Sequence, residues 1–132
     1  MERRIVNPWT WQDAFGFVQG NMLSGGQRVL VCAGQASTDA DGAAAHVGDM
    51  RAQTAQALDN LESVLTDAGF SFADVVRLNY FTTDVDRFLT EAAEVLGSRL
   101  AQAGCRPAST LLGVTRLAYP ELLIEIEATA VA

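Results

Sequence analysis

The chain has 132 residues, of which 49% are hydrophobic and 19% charged, and its formal net charge is −7. This length predicts one domain over residues 1–132, and the composition is ordinary for a soluble globular protein. The acidic balance argues against nucleic acid as a partner, because a phosphate backbone requires clustered basic side chains. All nine basic side chains are arginines, so Schiff-base chemistry on a lysine is excluded.

The sequence gives no sign of a membrane partner or a cofactor. No apolar run reaches the roughly 18 to 20 residues of a membrane helix, and the N-terminal segment lacks the apolar core of a signal peptide, so we expect a cytoplasmic protein. Two cysteines and the single histidine, His46, are too few for a four-ligand zinc site, and we expect neither a metal nor another cofactor. Cys32 is predicted to be a buried small hydrophobic residue. For Cys105, beside Arg106, one alternative is a thiol with a lowered pKa, but an unreactive thiol is favoured.

In chain order, the first predicted element is a β-hairpin in "FGFVQGNMLSGGQRVLVCAGQ". Its turn falls at Ser24-Gly25-Gly26, and its second strand runs from about Gln27 to Ala33. The acidic segment "ASTDADGAAAHVG" that follows is predicted to be a solvated loop, because its spacing does not match a calcium-binding loop.

Two helices come next, separated by a strand. Asp49 is a plausible N-cap of the first helix, whose C-terminal stop is Gly69. The segment "DVVRLNYFTT" alternates as a strand, and Asp84 then caps the second helix, which ends at Gly104 before Pro107. The last segment, "CRPASTLLGVTRLAYPELLIEIEATAVA", reads as two strands, the second of which contains Glu125 and Glu127 on one face.

The order of these elements predicts an α+β fold with both helices on one face of a sheet, because strand-helix-strand units prefer right-handed crossovers. The strands look apolar on both faces, as in Val29 and Val31 against Leu30 and Cys32. A sheet with two apolar faces and helices for only one must cover the second face. Association with further copies of the chain is the economical solution.

The sequence resembles the RidA (YjgF) family over nearly its whole length. The pieces that match are "GFVQG", "VCAGQ", "DMRAQTAQALDNLESVLTDAGFSFADVVRLNYFTTDVDRF" and "RPASTLLGVTRLAYPELLIEIEATAVA". The resemblance implies a fold like that of chorismate mutase, with a mixed six-stranded sheet, two helices on one face and a homotrimeric assembly. It also implies clefts between neighbouring subunits and hydrolysis of reactive enamines and imines, such as 2-aminoacrylate, to a keto acid and ammonia.

The chain departs from the family pattern at the positions that the resemblance assigns to ligand binding. In the family segment P-A-R-[ST], the arginine clamps the substrate carboxylate; here the segment is Pro107-Ala108-Ser109-Thr110, with Ser109 in its place. The other corresponding positions are also less polar than is usual in the family: Phe17, Ala33 before Gly34, Ala92 and Leu111. We expect a more apolar cleft that suits a neutral or cationic ligand better than an amino-acid-derived anion.

Three charged side chains leave alternatives open. Arg106 either folds back to replace the missing clamp or is a surface arginine. Glu125 is either a general acid or base that positions a water or a structural anchor, bonded to backbone amides or to an arginine such as Arg116 of another subunit. For Glu127 the structural interpretation is favoured.

Two functional classes follow from these observations. The first is a hydrolase or deaminase of altered specificity, with Glu125 as catalytic group and with weak or no activity on 2-aminoacrylate. The second is a non-catalytic small-molecule-binding or regulatory trimer.

Overall fold

The structure, a computed structural model, describes residues 1–26 and 28–132. The chain begins with strand β1 (Glu2–Val6), a 3-10 turn (Trp11–Phe15), β2 (Gly20–Ser24), β3 (Val29–Val31) and β4 (Gln35–Ala36). Helix α1 (Met50–Asp67), a 3-10 turn (Phe72–Asp74) and β5 (Val75–Thr82) follow. The second helix comprises Val85–Arg87, a π-helical turn at Phe88–Ala92 and Ala93–Gln102, which together we call α2 (residues 85–102); β6 (Ala108–Gly113) and β7 (Ile124–Val131) complete the chain.

The main sheet is mixed, which confirms the predicted α+β class. Its strand order is β3-β7-β5-β6, with β4 also paired to β7. Strand β7 runs antiparallel to β3, β4 and β5, whereas β5 and β6 are parallel. Strands β1 and β2 form a separate two-stranded sheet, so the strands are divided between two sheets and do not form the single six-stranded sheet that the resemblance implies.

The predicted hairpin between the second and third strands is wrong in its pairing. Strand β2 pairs with β1, and β3 pairs with β7. Side chains explain this arrangement, because Asn21 Nδ2 donates to the Val76 carbonyl at 2.8 Å and Arg3 Nη2 donates to the Arg106 carbonyl at 2.6 Å. These bonds hold the β1-β2 pair beside the ends of β5 and β6. The predicted start of the third strand at Gln27 lies outside the described residues, and the strand ends at Val31, before Ala33.

Both helices have the ends that the sequence predicts. The Asp49 carboxylate accepts from Ala52 N at 3.0 Å, and the Asp84 carboxylate accepts from Arg87 N at 3.0 Å. Gly69 and Gly104 both have positive φ, at 77° and 66°, which residues other than glycine rarely adopt, and each terminates its helix. No helix of the described residues is long and apolar enough to cross a membrane.

The helices cover one face of the main sheet and leave the other open. The core beneath them includes Leu58, Leu61 and Leu65 from α1, Phe88, Leu96 and Leu100 from α2, and Leu78, Ile124 and Ile126 from the sheet. The open face is less apolar than the sequence suggests, since Arg77, Asn79, Glu125 and Glu127 occupy its middle. Val29 and Val31, which are 63% and 75% exposed, lie at its β3 edge.

A fully buried glutamine connects α1 to the start of β7. Gln53 Nε2 donates to the carbonyls of Glu121 at 2.9 Å and His46 at 3.2 Å, and Gln53 Oε1 accepts from Leu123 N at 2.8 Å. Because Leu123 directly precedes β7, these bonds fix where the strand begins. Sequence analysis missed this residue, since a glutamine within a helix gives no sign that its amide is buried.

We expect Gln53→Ala to lower the free energy of unfolding by about 3 kcal/mol, because the fully buried side chain is lost and three partly buried backbone groups lose their hydrogen-bond partner. Urea unfolding followed by circular dichroism measures this loss. The control is Gln56→Ala on the same helix, where the half-buried side chain donates to the Asn60 side chain and the expected loss is about 0.5 kcal/mol or less. Equal losses for the two variants would contradict the role given to Gln53.

Candidate functional site

Strand β6 presents Ser109 and Leu111 on the side of the sheet that faces the helices. In the parallel pairing with β5, Ser109 lies opposite Leu78 and Leu111 lies opposite Tyr80. Leu78 and Tyr80 are both buried under the helices, and side chains opposite each other in a sheet share a face. The position of the missing clamp arginine therefore faces the helical layer.

A cavity of about 260 Å³ opens beside these two residues. The residues that matter for its chemistry come from β5, β6, α2 and the segment before β2, and they are Phe17, Tyr80, Phe88, Ala93, Ser109 and Leu111. Phe17 reaches this place because the next residue, Val18, donates its backbone N–H to the Pro107 carbonyl at 3.0 Å, at the entry to β6. The structure thus brings together Phe17, Ser109 and Leu111, as the sequence predicts.

Tyr80 is a polar cavity residue that the sequence does not predict. It is 8% exposed, and its ring packs against the ring of Phe88 with the centroids 5.6 Å apart and an angle of 47° between the ring planes. Burial raises the pKa of its hydroxyl, which therefore stays protonated at neutral pH. The available signal was a tyrosine two residues after Leu78, on the inward face of the strand, where a buried hydroxyl needs a partner.

The structure does not bring Ala92 to this cavity. Ala92 is fully buried in the core, whereas the next residue, Ala93, is exposed and lines the cavity. The π-helical turn at Phe88–Ala92 contains an extra residue, which changes which residues of α2 point toward the core and which point toward the cavity.

Glu125 lies on the opposite side of the sheet. Its strand neighbours Ile124 and Ile126 are fully buried beneath the helices, and the half-buried Glu125 between them points to the open face, as predicted. Ala36 of β4 pairs with Glu125 on one side, and Phe81 of β5 pairs with it on the other.

Gly34 lies directly against the Glu125 carboxylate. A Cβ at Gly34 would clash with the Oε1, Cδ and Cγ atoms of Glu125. Ala33, next to it, is exposed. Gly34 and Glu125 therefore form a second group of predicted site residues on the open face, with Ala33 adjacent to them in the chain.

Within one chain the sheet separates the two groups, so no single copy contains the whole predicted site. We call the group around Ser109 (Phe17, Tyr80, Phe88, Ala93, Ser109 and Leu111) the aromatic half-site. The group on the open face (Ala33, Gly34 and Glu125) is the acidic half-site. A ligand can meet both only where the acidic half-site of another copy covers the aromatic half-site.

Arg106 lines a different groove of about 300 Å³, together with Asp13, Gly16 and Cys105. Phe17 lines both this groove and the cavity that contains Ser109. The Arg106 carbonyl accepts from Arg3, and its side chain is exposed. Arg106 thus lies beside the aromatic half-site, and the structure does not place it among the cavity residues.

Glu127 has a structural partner, as the sequence analysis favours. Its Oε1 accepts from Asn79 Nδ2 at 2.9 Å across β5 and β7. The Arg116 guanidinium instead bonds to the carbonyls of Leu117 and Ala118 in its own loop. Asn79 Oδ1 is buried and has no hydrogen-bond partner among the described residues, so the open face contains an unsatisfied acceptor.

Both cysteines lie in the hydrophobic core. Cys32 and Cys105 are both buried, which confirms the prediction for Cys32. Burial raises the pKa of the Cys105 thiol to about 12, and the nearby Arg3 lowers it by a smaller amount. A lowered pKa at Cys105, which the neighbouring Arg106 left open, is therefore wrong.

The acidic loop satisfies its own carboxylate. Asp39 Oδ1 accepts from the backbone N–H groups of Asp41 at 2.9 Å and Ala43 at 3.0 Å. Across residues 1–26 and 28–132, the structure contains no group of three or more His, Cys, Asp or Glu side chains that could hold a metal ion.

Comparisons with known proteins agree with this fold. The model of the endoribonuclease L-PSP family matches residues 14–132. A solved structure of a conserved Rid-family protein of unknown function from Yersinia pestis is similar over 100% of both chains, with 38% identity and a TM-score of 0.86. The 2-iminobutanoate/2-iminopropanoate deaminase of Salmonella typhimurium is 32% identical over 116 residues, which are 87% of this chain and 86% of that protein. The structure of Escherichia coli TdcF with bound serine is 27% identical, with a TM-score of 0.71, over 88% of this chain and 87% of that one.

We expect Gly34→Ala to displace the Glu125 side chain and to lower the free energy of unfolding by about 1 kcal/mol, because the added methyl overpacks a half-buried contact. The strain should come from Glu125, so the same change in a Glu125→Ala background should cost about 0.3 kcal/mol or less. A double-mutant cycle by urea unfolding measures both values. An equal cost in the two backgrounds would show that the methyl meets something other than Glu125.

Proposed function

The chain belongs to the endoribonuclease L-PSP family, known also as the RidA (YjgF) family, and we propose that it is a homotrimer that binds a small molecule in each cleft between subunits. In that cleft it hydrolyses an imine-like metabolite that differs from the short-chain 2-imino acids. The observation that supports this proposal most directly is the separation of the aromatic and acidic half-sites on opposite sides of the sheet.

The proposed assembly follows from that separation. A complete site needs the Glu125 carboxylate of one copy over the Ser109 cavity of another. The open face offers a surface for such contact, with exposed Val29 and Val31 at one edge and Leu112, which is 46% exposed, at the other. Burying these apolar side chains favours association, and the unpartnered Asn79 acceptor gains a donor.

A small molecule suits the dimensions of the cavity. A volume of about 260 Å³, lined mainly by aromatic side chains, matches a compact metabolite and not a polymer. The Salmonella relative is named for imine deamination, and the TdcF structure contains bound serine. Both names agree with a site for small nitrogen compounds.

Ser109 is the reason to propose an altered specificity. A serine hydroxyl cannot form the charge-assisted bidentate pair by which a guanidinium holds a carboxylate. The loss costs about 2 to 5 kcal/mol of binding in a partly buried cleft. Standard 2-imino acids, which are anions, therefore lose their main contact.

The chemistry needs one water and one proton carrier. Water adds to the C=N carbon, a proton moves to the nitrogen, and the tetrahedral adduct collapses to a carbonyl compound and ammonia. We assign the proton transfers to Glu125, the acid that would face the cavity of the neighbouring copy. If the chain has no such activity, the same geometry supports a non-catalytic binding trimer.

We expect the wild-type protein to hydrolyse 2-iminopropanoate weakly or not at all, and Ser109→Arg to raise that rate at least about tenfold, because the guanidinium restores the carboxylate clamp. An amino-acid oxidase acting on alanine generates the imine in situ, and its disappearance is followed by trapping. Ser109→Gln, long and polar but uncharged, is the control and should leave the rate unchanged. A high rate for the wild type would reject the altered specificity.

Glu125→Gln should keep the assembly and remove the activity. With an uncharged imine generated from benzylamine by an amine oxidase, we expect a loss of at least about 100-fold, because an amide cannot transfer the proton. Sedimentation equilibrium of the variant should still show the trimer. Dissociation of the variant would make Glu125 an assembly residue, and absence of wild-type turnover on a panel of such imines would favour the non-catalytic alternative.

A further inference from the structure

The aromatic half-site contains no charge of its own. Around the cavity of about 260 Å³, the described lining residues are all aromatic, aliphatic or hydroxyl-bearing. Phe17, Tyr80 and Phe88 supply rings from three separate elements. Flat apolar groups pack well against such rings in tilted or edge-to-face arrangements.

Two hydroxyls are the polar groups of this cavity, those of Tyr80 and Ser109. Within residues 1–26 and 28–132, the structure gives neither hydroxyl a hydrogen bond, and neither oxygen is among the fully buried polar atoms that lack a partner. Both residues line the cavity, so a ligand there can supply the missing hydrogen bonds. A polar group in an apolar pocket is costly unless a ligand or water bonds to it.

We propose that this cavity selects the uncharged, ring-bearing part of a ligand and that Tyr80 is its specificity-determining residue. The Tyr80 hydroxyl donates a hydrogen bond to a neutral acceptor, such as a carbonyl oxygen or an imine nitrogen, and Ser109 provides a second bond. The ligand class is thus a small aromatic imine, amide or carbonyl compound without a carboxylate in this cavity. The inference rests on the proposed function and names the substrate class of the same site.

Electrostatics supports the choice of a neutral ligand. A carboxylate in the cavity would lose its hydration and receive two hydroxyl donors in return, without a cation to pair with. Arg106 lies in the neighbouring groove, across Phe17, and its side chain is exposed. The protonated state of the Tyr80 hydroxyl, which burial maintains, makes it a donor throughout the neutral pH range.

The chain contains its own optical reporter of this cavity. The Trp11 ring packs edge-on against the rings of Phe17 and Phe15, with ring centroids 5.8 Å and 6.4 Å apart respectively. A ligand that contacts Phe17 changes the surroundings of Trp11. Trp9, which is 59% exposed, is replaced by Phe in all proteins tested so that the fluorescence change reports on Trp11.

The test uses two compounds of nearly equal shape, phenylacetamide and phenylacetate, in fluorescence and calorimetric titrations of the full-length protein. We expect the amide to bind at least about tenfold more tightly than the anion. Tyr80→Phe, which keeps the ring and removes the hydroxyl, should weaken amide binding about three- to tenfold and leave the anion unchanged. Tyr119→Phe, which removes an exposed hydroxyl outside this cavity, is the matched control and should change neither affinity.

Three outcomes would each overturn the inference: equal affinity for the two compounds, no binding of either at millimolar concentration, or an unchanged affinity for the amide in Tyr80→Phe. If Tyr80→Phe does not fold, Ser109→Ala takes its place, with the same direction expected. The proposed hydrolysis fails separately, through absence of turnover on uncharged imines. A protein that discriminates amide from anion without turnover supports the inference and rejects the enzyme.

Discussion

The alternation of side chains along β7 is the constraint on which the site depends. A strand sends successive side chains to opposite faces, so burying Ile124 and Ile126 under the helices forces Glu125 and Glu127 onto the open face. A slip of one residue would place both carboxylates in the core and expose both isoleucines. Neighbouring strands on both sides of β7 and the Gln53 amide at Leu123 hold the register. The stability of the core therefore fixes the position of the acid.

The same alternation on β6 gives the opposite result for Ser109. Because Ser109 lies opposite Leu78 in the pairing with β5, it faces the helical layer and the aromatic cavity. The acid and the cavity are thus separated by the thickness of the sheet in each copy. The proposed site therefore needs a second copy, although each chain folds around its own core. In the proposed trimer each cleft is apolar on one side and acidic on the other.

The sequence predicts the elements of this fold better than their contacts. Helix caps at Asp49 and Asp84 and the orientation of Glu125 follow from local chemistry and a period of two, and the structure agrees with them. The pairing of β2 with β1 depends on long-range bonds from Arg3 and Asn21, which a local pattern does not reveal. The same holds for the buried amide of Gln53. Among the site residues, Ala93 lines the cavity in place of the predicted Ala92, because a π-helical turn interrupts the regular period of α2. The position of Tyr80 in the cavity depends on the rings packed around it, which a local pattern does not reveal.

The central claim is that two half-sites on different copies form one cleft, and the mass of the protein in solution tests it most directly. Sedimentation equilibrium at micromolar concentration is expected to show a single species at three times the chain mass of 14.1 kDa. The proposed trimer would bring the Glu125 carboxylate of one copy to the Ser109 cavity of another, which a single copy holds on opposite sides of its sheet. A stable species at 14.1 kDa would contradict the account, because a single copy cannot bring the acid to the aromatic cavity.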